Sequence, residues 1–197
     1  MKYKNLTVSQ KGLSLIESAM VLAISAVVVS GVLYYYNQAQ ENRKLEEGIK
    51  QIQTIAASVN KLYTNSVTPL SGDDNTVEAI SAISGIPTMI GPGRAKMFVT
   101  PSGQWVQLWT GSNNTYFLEA QVQSVSSCIS YATLNMGTIM AGKTKILIDS
   151  TEYGSNNTAN NTTNFSLSPS IASNACEDAG KAKGNDKNIK VRYTLRY

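Results

Sequence analysis

Lys11-Gly12-Leu13-Ser14-Leu15-Ile16-Glu17-Ser18-Ala19-Met20 opens an apolar run that continues to Tyr36. Between residues 13 and 36 there is a single charged side chain, Glu17. Lys2, Lys4 and Lys11 precede the run with no acid among them. Basic residues followed by an apolar stretch are the outline of an export signal. As a helix, residues 13–36 would extend about 36 Å, enough for a hydrocarbon core of about 30 Å. The lysines would hold its start in the cytoplasm and leave the following chain on the far side.

A conventional export signal is cut after its apolar region, at a small-x-small site. The polar exit here reads Tyr36-Asn37-Gln38-Ala39-Gln40, with Asn37 where a small residue is needed. That is a poor site. The alternative is a cut at Gly12, ahead of the run, which keeps the apolar helix in the mature chain. Glu17 has a local explanation as well: Ser14-x-x-Glu17 is a capping box that would satisfy amides at the helix start. A carboxylate in the first turn also complements the helix dipole.

Composition narrows the function classes. The 197 residues allow one moderate domain plus an appendage. Of 17 basic residues three lie in the leader, leaving 14 against 13 acids (17 − 3 = 14), a net charge near +1. Such a body gives no reason to expect a nucleic-acid partner. The chain has no histidine, which removes most metal-site and catalytic-triad arrangements, and no cofactor is expected. Its two cysteines, Cys128 and Cys176, are expected to form a disulfide outside the reducing cytoplasm.

Beyond Tyr36 the helical pattern continues and changes character. Leu45, Ile49, Ile52, Ile55, Ala56, Val59, Leu62 and Tyr63 recur at three- and four-residue steps and mark one apolar face. The helix is predicted to run from Ser14 to about Tyr63, stopping near Asn65 to Pro69. Gly31 and Gly48 fall inside it, either as points of bending or as places of close helix packing.

Residues 66–197 read as a turn-rich head. Ser71-Gly72-Asp73-Asp74-Asn75 and Gly91-Pro92-Gly93-Arg94 are turn clusters. Residues 96–100 and 104–110 read as a hairpin, with Trp105 and Trp109 on one face and expected in the core. Residues 117–134 read as a helix carrying Cys128, and residues 145–149 as a strand. Residues 153–164, rich in Asn and Thr, read as a surface loop. Ser168-Pro169 is expected to open a short helix carrying Cys176. Residues 188–197 alternate Ile189, Val191, Tyr193, Leu195 and Tyr197 with basic and polar residues, a strand.

The segment from Lys11 to Ala23 closely resembles the N-terminus of type IVb pilins, the bundle-forming pilins most of all. A second match is Cys128-Ile129-Ser130-Tyr131-Ala132-Thr133-Leu134-Asn135-Met136-Gly137. The resemblance is strong over residues 11–36, weaker over residues 128–137, and outside these two stretches there is no residue-level match. It implies an α+β pilin fold: a long N-terminal α-helix packed against an antiparallel β-sheet head, with additional helices and one disulfide. It implies a leader of residues 1–12, removed by a prepilin peptidase between Gly12 and Leu13, and N-methylation of Leu13. The leader is short for the subclass as a whole, though not for the bundle-forming branch.

By the same resemblance Glu17 neutralises the new amine of Leu13 on a neighbouring subunit during assembly, alongside or instead of capping. The helix would occupy residues 13–65, with a membrane or filament-core half at 13–36 and an amphipathic half at 37–65. The head would occupy residues 66–197, and its disulfide-enclosed D-region, residues 128–176, would carry subunit and partner contacts. Implied partners are other pilin copies, the prepilin peptidase, the inner-membrane assembly machinery, the membrane before assembly, and host cells or neighbouring pili. The precursor would sit in the inner membrane with its head in the periplasm, and the assembled pilus outside the cell. The function implied is that of a major pilus subunit. A minor pilin or pseudopilin of a secretion or conjugation system is the first alternative, and a signal-anchored periplasmic enzyme is the second.

Overall fold

The computed structural model describes residues 14–154, 165–184 and 188–197. Its first element, α1, is an unbroken helix, Leu15–Tyr63. The chain divides into two units, residues 1–42 and residues 43–197, so α1 contributes to both. From Leu15 to Tyr36 the helix is apolar around its circumference apart from Glu17, and its large side chains are exposed. In the second unit it is amphipathic: Ile52, Ile55, Ala56 and Val59 are buried, while Leu45, Ile49, Leu62 and Tyr63 are partly buried beside them. The stripe predicted from spacing is the stripe that packs.

The second unit is built on a seven-stranded antiparallel sheet. Its strands are β1 (Thr88–Ile90), β2 (Lys96–Val99), β3 (Trp105–Thr110), β4 (Thr115–Val122), β5 (Met140–Ile148), β6 (Thr151–Tyr153) and β7 (Ile189–Arg196). Their spatial order is β1-β2-β3-β4-β7-β5-β6. The last strand therefore lies inside the sheet, pairing β4 along eight residues and β5 on its other side. Its alternation explains that position: Ile189, Val191, Tyr193 and Leu195 are all fully buried.

Among the described residues the head also has three shorter α-helices: α2 (Asp74–Ser84), α3 (Val125–Ala132) and α4 (Pro169–Ala182). One apolar cluster joins the second half of α1, these helices and the sheet residues that alternate inward. The buried face of α4 is small throughout, with Ala172, Ala175, Cys176 and Ala179. Small residues let α3 and α4 approach closely, and the Cys128 and Cys176 Cα atoms lie 5.8 Å apart in a disulfide. Both cysteines of that bond are fully buried.

Several expectations from the sequence need correction. Residues 117–134 do not form one helix. Tyr116, Leu118, Ala120 and Val122 are buried at every second position, so the segment is strand β4, then α3 after Ser124. The Ser124 hydroxyl accepts the Ser127 amide at 3.1 Å and starts that helix. The cluster around Asp73 is more than a turn. Asp73 caps α2 by accepting the Thr76 amide at 2.8 Å, and that bond holds its carboxyl below the usual range. The strand expected at residues 145–149 begins earlier, at Met140, with register shifts around Gly142. Ser168 stands at the cap position of α4, yet its side chain makes no capping bond. Most of the loop expected at residues 153–164 lies outside the described residues.

The tryptophans are also displaced from their expected place. Val106 and Leu108 take the core side of β3, which leaves Trp105 and Trp109 half-buried on the opposite face. There Trp109 stacks on Phe117 at 5.5 Å, and the Arg192 guanidinium lies 5.0 Å from its ring centre. Arg192 also holds Glu119, through Nε at 2.8 Å and Nη2 at 2.6 Å, while Lys190 reaches the same carboxylate at 3.3 Å. The acid can thus sit almost buried on the polar face of the sheet, its charge answered by two cations.

Gly48 is a point of close approach. A Cβ there would collide with the Tyr131 hydroxyl, whereas the next Tyr131 atom would stand 3.5 Å away. Tyr131 belongs to α3 and accepts at its carbonyl from the Tyr193 hydroxyl of β7, at 2.7 Å. One residue thereby sets the spacing of α1, α3 and the sheet.

Gly48→Ala should lower the thermal midpoint of the full chain in detergent, despite the helix propensity gain of about 1 kcal/mol. Combined with Tyr131→Phe, which removes the colliding oxygen, Gly48→Ala should instead be neutral or stabilising. A rise in midpoint for Gly48→Ala alone would contradict the packing described. Removing the disulfide by Cys128→Ser with Cys176→Ser frees a 48-residue separation in the unfolded chain. Urea titration should show a loss of roughly 4 kcal/mol.

Candidate assembly site

At the start of α1 the Ser14 hydroxyl accepts the Glu17 amide at 3.2 Å. This is half of a capping box. The returning arm, from the Glu17 carboxylate to the Ser14 amide, is not made. Among the described residues the carboxylate has no hydrogen-bond or ion-pair partner, and it is exposed. Gly12 and Leu13 lie outside the described residues. Capping thus falls to Ser14, and the acid takes no part in the cap among the described residues.

The helix behind Glu17 is the one described helix long and apolar enough to cross a membrane. Large apolar side chains from Leu15 to Leu33 are more than half exposed. Its serine hydroxyls beyond Glu17 are satisfied within the helix. Ser25 donates to the Val21 carbonyl and Ser30 to the Ala26 carbonyl, each at 2.7 Å, and Ser18 donates to Ser14 at 3.3 Å. A helix whose hydroxyls bond back to its own carbonyls can enter an environment without water. Gly31 has no heavy atom near the position of a Cβ, so no contact within this chain requires a glycine there.

The disulfide joins α3 to α4 and encloses β5, β6 and the start of α4. Cys128 and Cys176, expected as partners from composition, are brought together. Among the described residues no group of three or more His, Cys, Asp or Glu side chains could hold a metal ion. The pairing of Glu119 with Arg192 was not visible in the sequence, because it depends on the register of β4 against β7.

Comparison with known proteins accords with this architecture. Residues 37–196 match the family described as Bundlin. Two proteins of Escherichia coli, from O111:H− and from O127:H6 strain E2348/69, are each described as the major structural subunit of bundle-forming pilus. Each is 34% identical to this chain over 196 residues, covering 95% of both sequences. The crystal structure of a type IV b pilin from Salmonella typhi superposes with a TM-score of 0.52 at 13% identity. It covers 76% of this chain and 98% of that one, and it establishes the fold. With a family match across most of its length and relatives at this identity, the chain belongs to the Bundlin family, and its fold is that of a type IV b pilin.

Proposed function

We propose that this chain is the major structural subunit of a type IVb pilus. It is held in the inner membrane as a precursor and polymerised into an extracellular filament with other copies of itself. The observation that carries this reading is an exposed Glu17, unpartnered among the described residues, at the head of an exposed apolar helix in a bundlin-family chain. The family is one of structural subunits, and the chain is not an enzyme. The names of the relatives favour a major subunit over a minor pilin or pseudopilin.

The finer steps belong to the same proposal. A prepilin peptidase removes residues 1–12, cutting between Gly12 and Leu13, and Leu13 becomes the N-methylated terminus. The helix, residues 13–65, provides an anchor at 13–36 and a packing face at 37–65, and residues 66–197 form the head. Until assembly the head faces the periplasm, where the Cys128–Cys176 bond can form. The inner-membrane assembly machinery then draws the helix out of the bilayer. In the filament the Leu13 amine of one copy meets Glu17 of another. Both charges would be away from water, so each makes the other tolerable. The D-region, residues 128–176, supplies contacts between subunits and toward host cells or neighbouring pili.

Two measurements test this. Intact mass of subunits from sheared filaments should correspond to a chain starting at methylated Leu13. Retention of Met1, or a start near Ala39, would overturn the processing step. Glu17→Gln keeps the amide contact to Ser14 and removes the charge. Its subunits should be cleaved and inserted normally, yet electron microscopy should find filaments reduced at least tenfold. Filaments in normal number would refute charge pairing.

A further inference from the structure

The apolar helix ends in three consecutive tyrosines, Tyr34, Tyr35 and Tyr36, which are 74%, 74% and 58% exposed. Successive helical residues are about 100° apart, so three in a row cover roughly 200° of the circumference. A neighbouring helix touches one side only. A feature that surrounds more than half of a helix suits a medium that surrounds it entirely. Tyrosine combines an apolar ring with a polar tip, and it concentrates where hydrocarbon meets headgroups.

The distances agree with such a boundary. Residues 15–33 extend about 28 Å as a helix, against a hydrocarbon thickness of about 30 Å. Beyond the tyrosines come Asn37, Gln38, Ala39 and Gln40, uncharged and mostly polar, and the first charge after Glu17 is Glu41. Residues 37–40 extend about 6 Å, which matches the headgroup layer on one side of a bilayer. The Gln40 amide reaches back one turn to donate to the Tyr36 hydroxyl at 2.7 Å, tying that ring's tip to the polar side. At the other end Glu17 lies within the first turn of the helix, near the opposite headgroups.

We infer that Tyr34, Tyr35 and Tyr36 form a collar that binds the lipid–water interface and fixes the depth of the anchored helix. The partner is a phospholipid bilayer, with residues 15–33 in hydrocarbon and the rings among the headgroups of the periplasmic leaflet. This rests on the reading that the subunit is membrane-held before assembly. The collar also sets the direction in which the helix can leave. Movement toward the periplasm takes the rings out of the bilayer without crossing hydrocarbon, while slipping toward the cytoplasm would drag three hydroxyls into it.

The test uses the full chain in vesicles of phosphatidylethanolamine and phosphatidylglycerol. Because both native cysteines are in the disulfide, a single introduced thiol can carry a nitroxide label. Val29→Cys, Val32→Cys, Leu33→Cys, Asn37→Cys, Gln38→Cys and Gln40→Cys are compared by relaxation with oxygen and with a water-soluble nickel chelate. Labels through Leu33 should favour oxygen and labels from Asn37 should favour nickel. Tyr34→Leu, Tyr35→Leu and Tyr36→Leu together should move the crossing about three positions toward Gln40. The corresponding Tyr→Trp triple should leave it within one position. An unmoved crossing in the leucine variant would overturn the collar while leaving the anchor intact. Protection of the positions around the rings from both reagents would also overturn it, because protein would then cover them. Nickel access at every position would refute the membrane-held precursor itself, a result distinct from the other two.

Discussion

An apolar helix that is apolar on every side cannot be left in water, and the rest of this molecule is arranged around that constraint. Eleven large aliphatic side chains from Leu15 to Leu33 are more than half exposed. At about 1.5–3 kcal/mol for each aliphatic side chain fully buried, covering them is worth roughly 15–30 kcal/mol as an upper figure. That is larger than the 5–15 kcal/mol typical of a whole folded domain. A subunit released into water would therefore be a far worse state than either lipid or a bundle of similar helices. In the proposed function, transfer between those two environments must be continuous, with lipid contacts exchanged for helix contacts as the chain moves.

The head answers a different requirement, which is to fold and stay folded while attached to such a helix. Its last strand lies between β4 and β5, so the sheet is complete only when the C-terminus is in place. Tyr197 extends that closure. Its hydroxyl accepts the Leu70 amide at 3.1 Å, and its ring meets Tyr63 at the end of α1. The disulfide restricts the unfolded chain between α3 and α4, and Tyr131 couples α3 to both Gly48 and Tyr193. These contacts all lie within residues 43–197.

How far the fold could be read depended on whether a segment's pattern was complete within itself. The long helix, the hairpin of β2 and β3, the helix at Pro169 and the strand at Ile189 carry their periodicity or turn residues locally. Residues 117–134 misled because Val122, Val125 and Ile129 fit a helical step across the junction of β4 and α3. The partner strand β7 decides for β4, and it arrives some 70 residues later. Helix α2 was missed because Asp73-Asp74-Asn75 reads as a turn, whereas Asp73 caps the helix and Asp74 accepts the Lys96 amide from β2. For Trp105 and Trp109 the alternation was legible, but the side facing the core was decided by Val106 and Leu108. Glu17 stood out because it is a lone acid in an apolar run, whereas the proposed roles of Gly12 and Leu13 come from the resemblance and lie outside the described residues.

The division of labour between Ser14 and Glu17 bears on why an acid is kept in so apolar a helix. If Glu17 only satisfied the helix start, its carboxylate would be expected to bond back to the Ser14 amide, and it does not. A serine alone already satisfies the Glu17 amide, so a neutral residue at position 17 would keep the cap. A carboxylate in a membrane helix costs up to about 2.5–3.5 kcal/mol at the bilayer centre and less near an end. On the path of the proposed assembly, toward the periplasm, Glu17 would pass through that centre. An unpaired acid would make the helix harder to extract and would still lack a partner after extraction. The cost is offset only where a cation awaits it at the end of the path. In a homopolymer whose mature chain begins at Leu13, the neighbouring amine is the cation that can be there. Under the proposed pairing, a single charge would discriminate between a helix that has reached its correct axial position and one that has not.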